Sequence, residues 1–144
     1  GSWSQYASKK IKNGKILSID LLDFEKIEKI FQLKGDFTSE IIKEKIKNYF
    51  NSKVDVVISD MAVNTTGNKN LDSINTSELC IEAMNFSKDI LKKDGKFVSK
   101  IFMGSTFNEI IKESKKIFKE NKVFKPAASR KDSKESFIIC KYLR

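Results

Sequence analysis

The sequence predicts an α/β fold, a parallel-rich sheet with helices on both faces. Three observations carry this. Short apolar stretches alternate with segments of helical periodicity along the whole chain. The stretch 54–60, VDVVISD, is an apolar β-branched run of the kind that forms buried parallel strands. Three strand candidates also end on a charge: ILSID on Asp20, VDVVISD on Asp60 and KFVSK on Lys100. Open α/β sheets place their ligands at the carboxyl ends of strands, so these three ends are the first candidates for a site.

From the N-terminus, Trp3, Tyr6, Ala7 and Ile11 are spaced for a helix over 2–12, stopped by Asn13 and Gly14. A strand comes next, over 15–20. Phe24, Ile27 and Ile30 then give one apolar side to a turn and a short helical piece. A brief strand over 31–34 runs into Gly35 and Asp36. Thr38 or Ser39 is placed to cap a helix over Glu40–Phe50, whose Ile41, Ile42, Ile46, Tyr49 and Phe50 form one inward stripe. After the strand at 54–59, the polar segment 61–75 contains Gly67 and reads as a long loop. Such loops at strand ends often carry function. Thr76 is a candidate cap for a helix over 77–92 with Leu79, Ala83, Phe86 and Ile90 inward. Asp94 and Gly95 turn into a strand over 96–101, and Gly104 and Ser105 precede a helix over 106–120. A strand over 122–125 stops before Pro126. A basic loop spans 127–134, and a last strand covers 136–141. The opening helix lacks the strand that this alternation places before a helix.

Composition narrows the class. With 144 residues, 40% of them hydrophobic and 33% charged, the chain suits a single globular domain over 1–144. The net charge of +9 favours polyanions, nucleic acid before an anionic membrane surface. The basic residues are nearly all lysine, Arg130 and Arg144 being the arginines, which also fits a general surface bias. Cys80 and Cys140 form no C-x-x-C pair and read as buried, reduced thiols of a cytoplasmic protein. The absence of histidine excludes imidazole acid–base catalysis and most zinc sites, so no metal is expected. No apolar run reaches membrane-spanning length and no secretory signal is visible, so no membrane partner is expected.

Each candidate residue has a plain alternative. Asp20 closes a strand, where an acid accepts hydrogen bonds from ribose hydroxyls in nucleoside-binding folds; it equally suits a solvated turn. Asp36 fits an acceptor for an adenine amino group or a charge near a helix N-terminus. Asp60 follows an apolar strand, so partial burial is expected, and a buried carboxylate needs a cationic neighbour or ligand. Lys100 can supply that cation, as a structural ion pair or as part of a site. Glu135 lies beside Arg130, Lys131 and Lys134 and fits either a site or a surface ion pair.

Several blocks in register, GSWSQY, SDMAVN, KFVSKIF and KPAASRKDSKES, give the chain a resemblance to the FtsJ family of ribosomal RNA ribose 2′-O-methyltransferases. SDMAVN is similar to the family's S-D-M-A-P-N, with Val63 in place of proline and Asn64 kept. Ser129, Arg130, Ser133 and Glu135 meet its S-R-x-x-S-x-E pattern. The resemblance implies an S-adenosylmethionine-dependent Rossmann-like fold with an antiparallel last strand. It implies catalytic roles for Asp60, Glu135 and Lys100, with Lys100 the proton acceptor. Three acids at or just after three strand ends, Asp20, Asp36 and Asp60, are expected to line one cofactor pocket with Gly1 and Trp3, and the basic loop with Arg130, Lys131 and Lys134 is expected to contact RNA phosphates. GSWSQ is similar to the end of the family's glycine-rich first motif. The family's first strand and first catalytic lysine are therefore expected upstream, the chain being roughly the C-terminal three-quarters of a member. That strand lies between the strands ending at Asp20 and Asp60, so a gap between those two, or their collapse together, is expected, and not a continuous ladder in native register.

The implied substrate is a uridine ribose of large-subunit ribosomal RNA, methylated by a monomer. A tRNA ribose methyltransferase and a non-catalytic RNA-binding remnant are the alternatives. The chemistry needs positioning and a base. A ribose hydroxyl attacks in line a methyl held by a sulfonium, and alignment supplies much of the rate. A lysine accepts the hydroxyl proton only if desolvation or nearby cations disfavour its ammonium, an effect that Asp60 and Glu135 oppose.

Overall fold

The computed structural model describes residues 2–11, 13–20, 25–60, 67–102, 104, 106–125 and 135–144. They belong to two compact units, Gly1–Ser52 and Lys53–Arg144.

In the first unit, helix α1 (Ser2–Lys10) carries Lys9 and Lys10 in its last turn, where cations complement the helix dipole. It meets β1 (Ile16–Asp20) through a 3.2 Å hydrogen bond between the Ser4 and Ser18 hydroxyls. Strand β2 (Ile30–Lys34) runs parallel to β1, from Ile16 opposite Ile30 to Asp20 opposite Lys34. The helical piece expected around Ile27 and Ile30 is not formed. The Gln32 side chain accepts from the Ile27 amide at 2.9 Å and donates to the Glu25 carbonyl at 3.0 Å. These bonds hold a turn in place of helical ones, and Ile30 already belongs to β2. Phe24 lies outside the described residues.

Helix α2 (Glu40–Phe50) has the expected span. Ser39 occupies its cap position without a side-chain cap bond. The helix ends at Asn51, a left-handed C-cap (φ 51°) whose amide reaches the Lys47 carbonyl. Ile42 and Ile46 are buried with Phe37, but Ile41 is 71% exposed. A stripe built on 42 and 46 leaves 41 about 100° away on the helical wheel. Gly35 sits where this helix approaches β2: a Cβ there would lie 2.7 Å from Ile42 Cδ1.

In the second unit, β3 (Val54–Ser59), β4 (Leu91–Phe102), β6 (Glu135–Leu143) and β5 (Phe118–Phe124) form a four-stranded sheet in the order β3-β4-β6-β5. β3 and β4 are parallel, and the last strand, β6, is antiparallel to both its neighbours. Among the described residues no ladder joins β1 to β3. Helices α3 (Lys69–Ile90) and α4 (Phe107–Ile117) pack on one face. Ala83, Met84, Phe97, Ile101, Ile110, Phe118 and Ile138 fill the layer between, with the Phe97 and Phe118 rings stacked 6.1 Å apart. Alternation along β4 and β6 follows this layering: 97, 99 and 101 and then 136, 138 and 140 are buried, and the residues between them are not.

Three expectations change here. The long loop is shorter than expected, because α3 starts at Lys69 and Thr76 is a buried residue inside it. Asn68 starts the helix instead: its side-chain oxygen accepts from the Leu71 amide at 3.1 Å and its carbonyl from the Asp72 amide at 2.9 Å. Helix α3 also stops at Ile90, and Leu91 already pairs with Val54. Residues 92–95 are looped out before Lys96 pairs with Val56. Gly95 is needed in that loop, since a Cβ would meet the Lys92 and Asp55 carbonyl oxygens at 3.0 and 3.1 Å. Finally α4 ends at Ile117 and β5 begins at Phe118 without a connecting loop. The Arg144 amide and guanidinium satisfy the Ile117 and Lys115 carbonyls at that helix end. No helix among the described residues is long and apolar enough to cross a membrane.

Candidate functional site

The second unit brings three of the expected positions to one sheet edge. The parallel β3–β4 ladder ends with Ser59 opposite Ser99, and β4 runs on to Phe102. Asp60 and Lys100 are the next residues on each strand. The antiparallel β6 starts where β4 ends, with Glu135 opposite Phe102 and Phe137 opposite Lys100. The backbone positions of Asp60, Lys100 and Glu135 therefore lie along the same edge. Lys100 is half-buried, and it lies on the face opposite the buried Ser99 and Ile101. The Glu135 side chain lies outside the described residues, as do Val63, Asn64 and the basic loop with Arg130, Lys131 and Lys134.

Asp60 corrects an expectation. It is exposed, not partly buried. Its strand is an edge of this sheet, and Val56 and Ile58 on that strand are 49% and 52% exposed. At the other end of β3 the Asp55 carboxylate accepts from the Lys92 ammonium at 2.8 Å. That hydrogen bond and the charge of Asp55 raise the Lys92 pKa. Both side chains are exposed, so the pair adds little stability.

In the first unit Asp20 and Asp36 lie at and just beyond the carboxyl ends of the parallel pair β1 and β2. Asp20 is exposed, and its carbonyl accepts from the Gly35 amide at 2.9 Å. Asp36 is tied into a local turn. Its Oδ1 accepts from the Thr38 hydroxyl at 2.7 Å and the Thr38 amide at 2.9 Å. These two bonds, the hydroxyl's first, hold its carboxyl below the usual range. The turn reading of Asp36 thus has direct support, and one of its oxygens is already engaged. Gly1 and the Trp3 side chain lie outside the described residues.

Sequence reasoning missed an aromatic feature beside Lys100. Phe137, opposite Lys100, is itself opposite Phe124 of β5, and the two rings stack 5.7 Å apart at 23°. Alternation could have put each phenylalanine on one face of its own strand. Only the register between strands shows that they meet.

Comparison with known proteins adds to this geometry. The model of the family described as FtsJ-like methyltransferase matches residues 1–143. The ribosomal RNA large subunit methyltransferase E of Pelagibacter ubique is 65% identical over 144 residues, spanning 100% of this chain and 71% of that protein. The chain spans from 64% to 71% of the length of the first curated relatives it matches. A Plasmodium falciparum crystal structure described as a ribosomal RNA methyltransferase superposes with a TM-score of 0.86 at 26% identity, over 99% of this chain and 81% of that one. A Streptococcus mutans structure, described as a methyltransferase in complex with SAH, superposes at 0.54 and 9% identity, over 90% of this chain and 72% of that one. That last likeness bears on the fold alone.

Proposed function

This chain belongs to the FtsJ-like methyltransferase family, and from that premise we propose that it transfers a methyl group from S-adenosylmethionine to a ribose 2′-hydroxyl of RNA. The proposed substrate is a uridine of large-subunit ribosomal RNA, reached in the cytoplasm by a monomeric enzyme. The observation that carries the reading is the shared sheet edge of Asp60, Lys100 and Glu135. Its support for the RNA class comes from the relatives' names and from the net charge of +9.

The cofactor fits the donor set by its chemistry. Adenosine offers amino and hydroxyl donors, and the methionyl part offers an ammonium and a sulfonium. Carboxylates at strand carboxyl ends are suitable acceptors for these. Asp20 would take the ribose hydroxyls, Asp36 the adenine amino group through the oxygen that Thr38 does not hold, and Asp60 the cationic end. Gly1 and Trp3 complete the assignment by family resemblance. When bound, S-adenosylmethionine supplies an electrophilic methyl on a cationic sulfur.

The chain's own residues do the rest. Lys100 accepts the proton of the attacking hydroxyl. Asp60 orients the Lys100 amine as well as holding positive charge. Glu135 holds Lys100 and the acceptor ribose in line. Arg130, Lys131 and Lys134 contact phosphates, which fix the RNA without reading its sequence.

The test is methyl incorporation by the full-length gene product. Large ribosomal subunits, tRNA and total RNA from a strain lacking the gene are offered with tritiated S-adenosylmethionine. Label in large-subunit RNA is the expected result. Label in tRNA alone would redirect the substrate, and none in any RNA would overturn the reading.

A further inference from the structure

Helices α3 and α4 cover one face of the four-stranded sheet. The other face carries a row that crosses three strands, from Lys100 on β4 to Phe137 on β6 to Phe124 on β5. The last two rings are stacked at 5.7 Å, and Phe124 is 39% exposed. Lys122, two residues earlier on β5 and thus on the same face, is exposed, and so is Lys125. The row ends at an accessible ring with Lys122 on the same face and Lys125 next in the chain, and it begins at the amine assigned to the reacting hydroxyl. Lys100 and Phe124 are two strand spacings apart, about 10 Å.

We propose that Phe124, backed by Phe137, is a stacking subsite for an unpaired nucleobase of the RNA substrate, adjacent to the nucleotide presented to Lys100. The proposal rests on the reading that the chain methylates RNA. Each base has a π-face that stacks on an aromatic ring, and the same strand's phosphates suit Lys122 and Lys125. Lys122 on this face, Lys125 beside the ring in sequence and a chain charge of +9 favour a nucleic acid over a second protein surface, although Glu120 shares the face. Stacking of this kind positions a strand and tolerates any base. Phe124 is therefore a positioning residue: it fixes where the neighbouring ribose falls and takes no part in proton transfer.

The test is binding of a short unpaired RNA, end-labelled for anisotropy, to the parent and to Phe124→Ala and Phe124→Trp. The alanine variant is expected to bind about tenfold more weakly. Its affinity for S-adenosylhomocysteine should match the parent's, and it should remain folded by circular dichroism at the assay temperature. The tryptophan variant should recover RNA affinity, and its emission should be quenched by RNA beyond that of the parent. Parental RNA affinity in Phe124→Ala, or unmoved emission in Phe124→Trp, overturns the subsite; so does a change confined to self-association. Methyl incorporation by the parent is scored separately. Labelling of RNA by a parent whose Phe124→Ala variant binds equally well removes the subsite and keeps the enzyme reading. A parent that labels nothing, but loses RNA affinity on Phe124→Ala, does the reverse.

Discussion

Lys100 comes just after the last residue pair of the β3–β4 ladder and faces away from the helices, with Phe137 across from it. If it accepts the hydroxyl proton, Lys100→Ala should lower turnover by about a hundredfold or more, with S-adenosylhomocysteine affinity unchanged. Lys100→Arg should fail as well, because a guanidinium keeps charge but does not give up its proton. Single-turnover methylation checks both; activity within a few-fold of the parent would remove Lys100 from the chemistry. The pKa of Asp36 tests the turn reading. Thr38 lowers it through two hydrogen bonds, so Thr38→Ala should bring it back toward the ordinary value in a carboxyl-detected NMR titration. An unmoved pKa would mean that the Thr38 hydroxyl is not the cause. The thiols give a pH dependence. Burial, and then the neighbouring Cys80, push Cys140 from an ordinary value of 9.0 up to about 12, and burial also raises Cys80. A folded-state pKa above the unfolded one means that the native state holds the proton more tightly. Its stability contribution is intact below pH 9.0 and is lost as pH rises toward about 12. Both thiols should resist disulfide reagents at pH 8 until denaturant is added. The melting temperature should fall less steeply above pH 9.0 in Cys140→Ala than in the parent. Rapid native-state labelling at pH 8 would contradict the burial argument.

At the scale of elements, the start of α3 is the sharpest case. Asn68→Ala removes the side-chain acceptor of the Leu71 amide and should cost about 1 kcal/mol, read as a lower urea midpoint at unchanged slope. A midpoint equal to the parent's would mean that the cap is not what begins the helix. This helix also shows what a single sequence conceals. Residues 69–75, KNLDSIN, have few apolar residues and no helical stripe, so they read as loop, while one asparagine upstream sets the helix running. Strong periodicity was a sound guide: α2 and β3 have the expected bounds, and β1 differs by one residue. It failed where a side chain from another element decided the local structure. Gln32 makes a turn of residues that propensity would wind, and Arg144 closes α4 so that β5 can begin at once. The acid at the end of β3 was legible as the end of a strand. Its exposure was not, because burial depends on what other elements pack against that strand end. The Lys100–Phe137–Phe124 row was illegible for the same reason, since it exists only through register.

At the scale of the whole molecule, the two units are unequally built. Phe37, Ile42 and Ile46 are the buried apolar residues described in the first, whereas the second buries residues from α3, α4 and all four of its strands. Amides of β1, β2 and α2 should therefore exchange hydrogen earlier than those of β4 and β6. Equal protection across both units would contradict that ranking. The atom that receives the methyl group distinguishes ribose from base methylation. RNA labelled by the full-length gene product with tritiated S-adenosylmethionine is hydrolysed in alkali and its products are sized. A methyl on the ribose 2′-oxygen removes the internal nucleophile that alkali needs, so the chain survives at that step. Label from large-subunit RNA is expected in an alkali-stable dinucleotide. Label released in mononucleotides would place the methyl on a base and exclude transfer to the ribose.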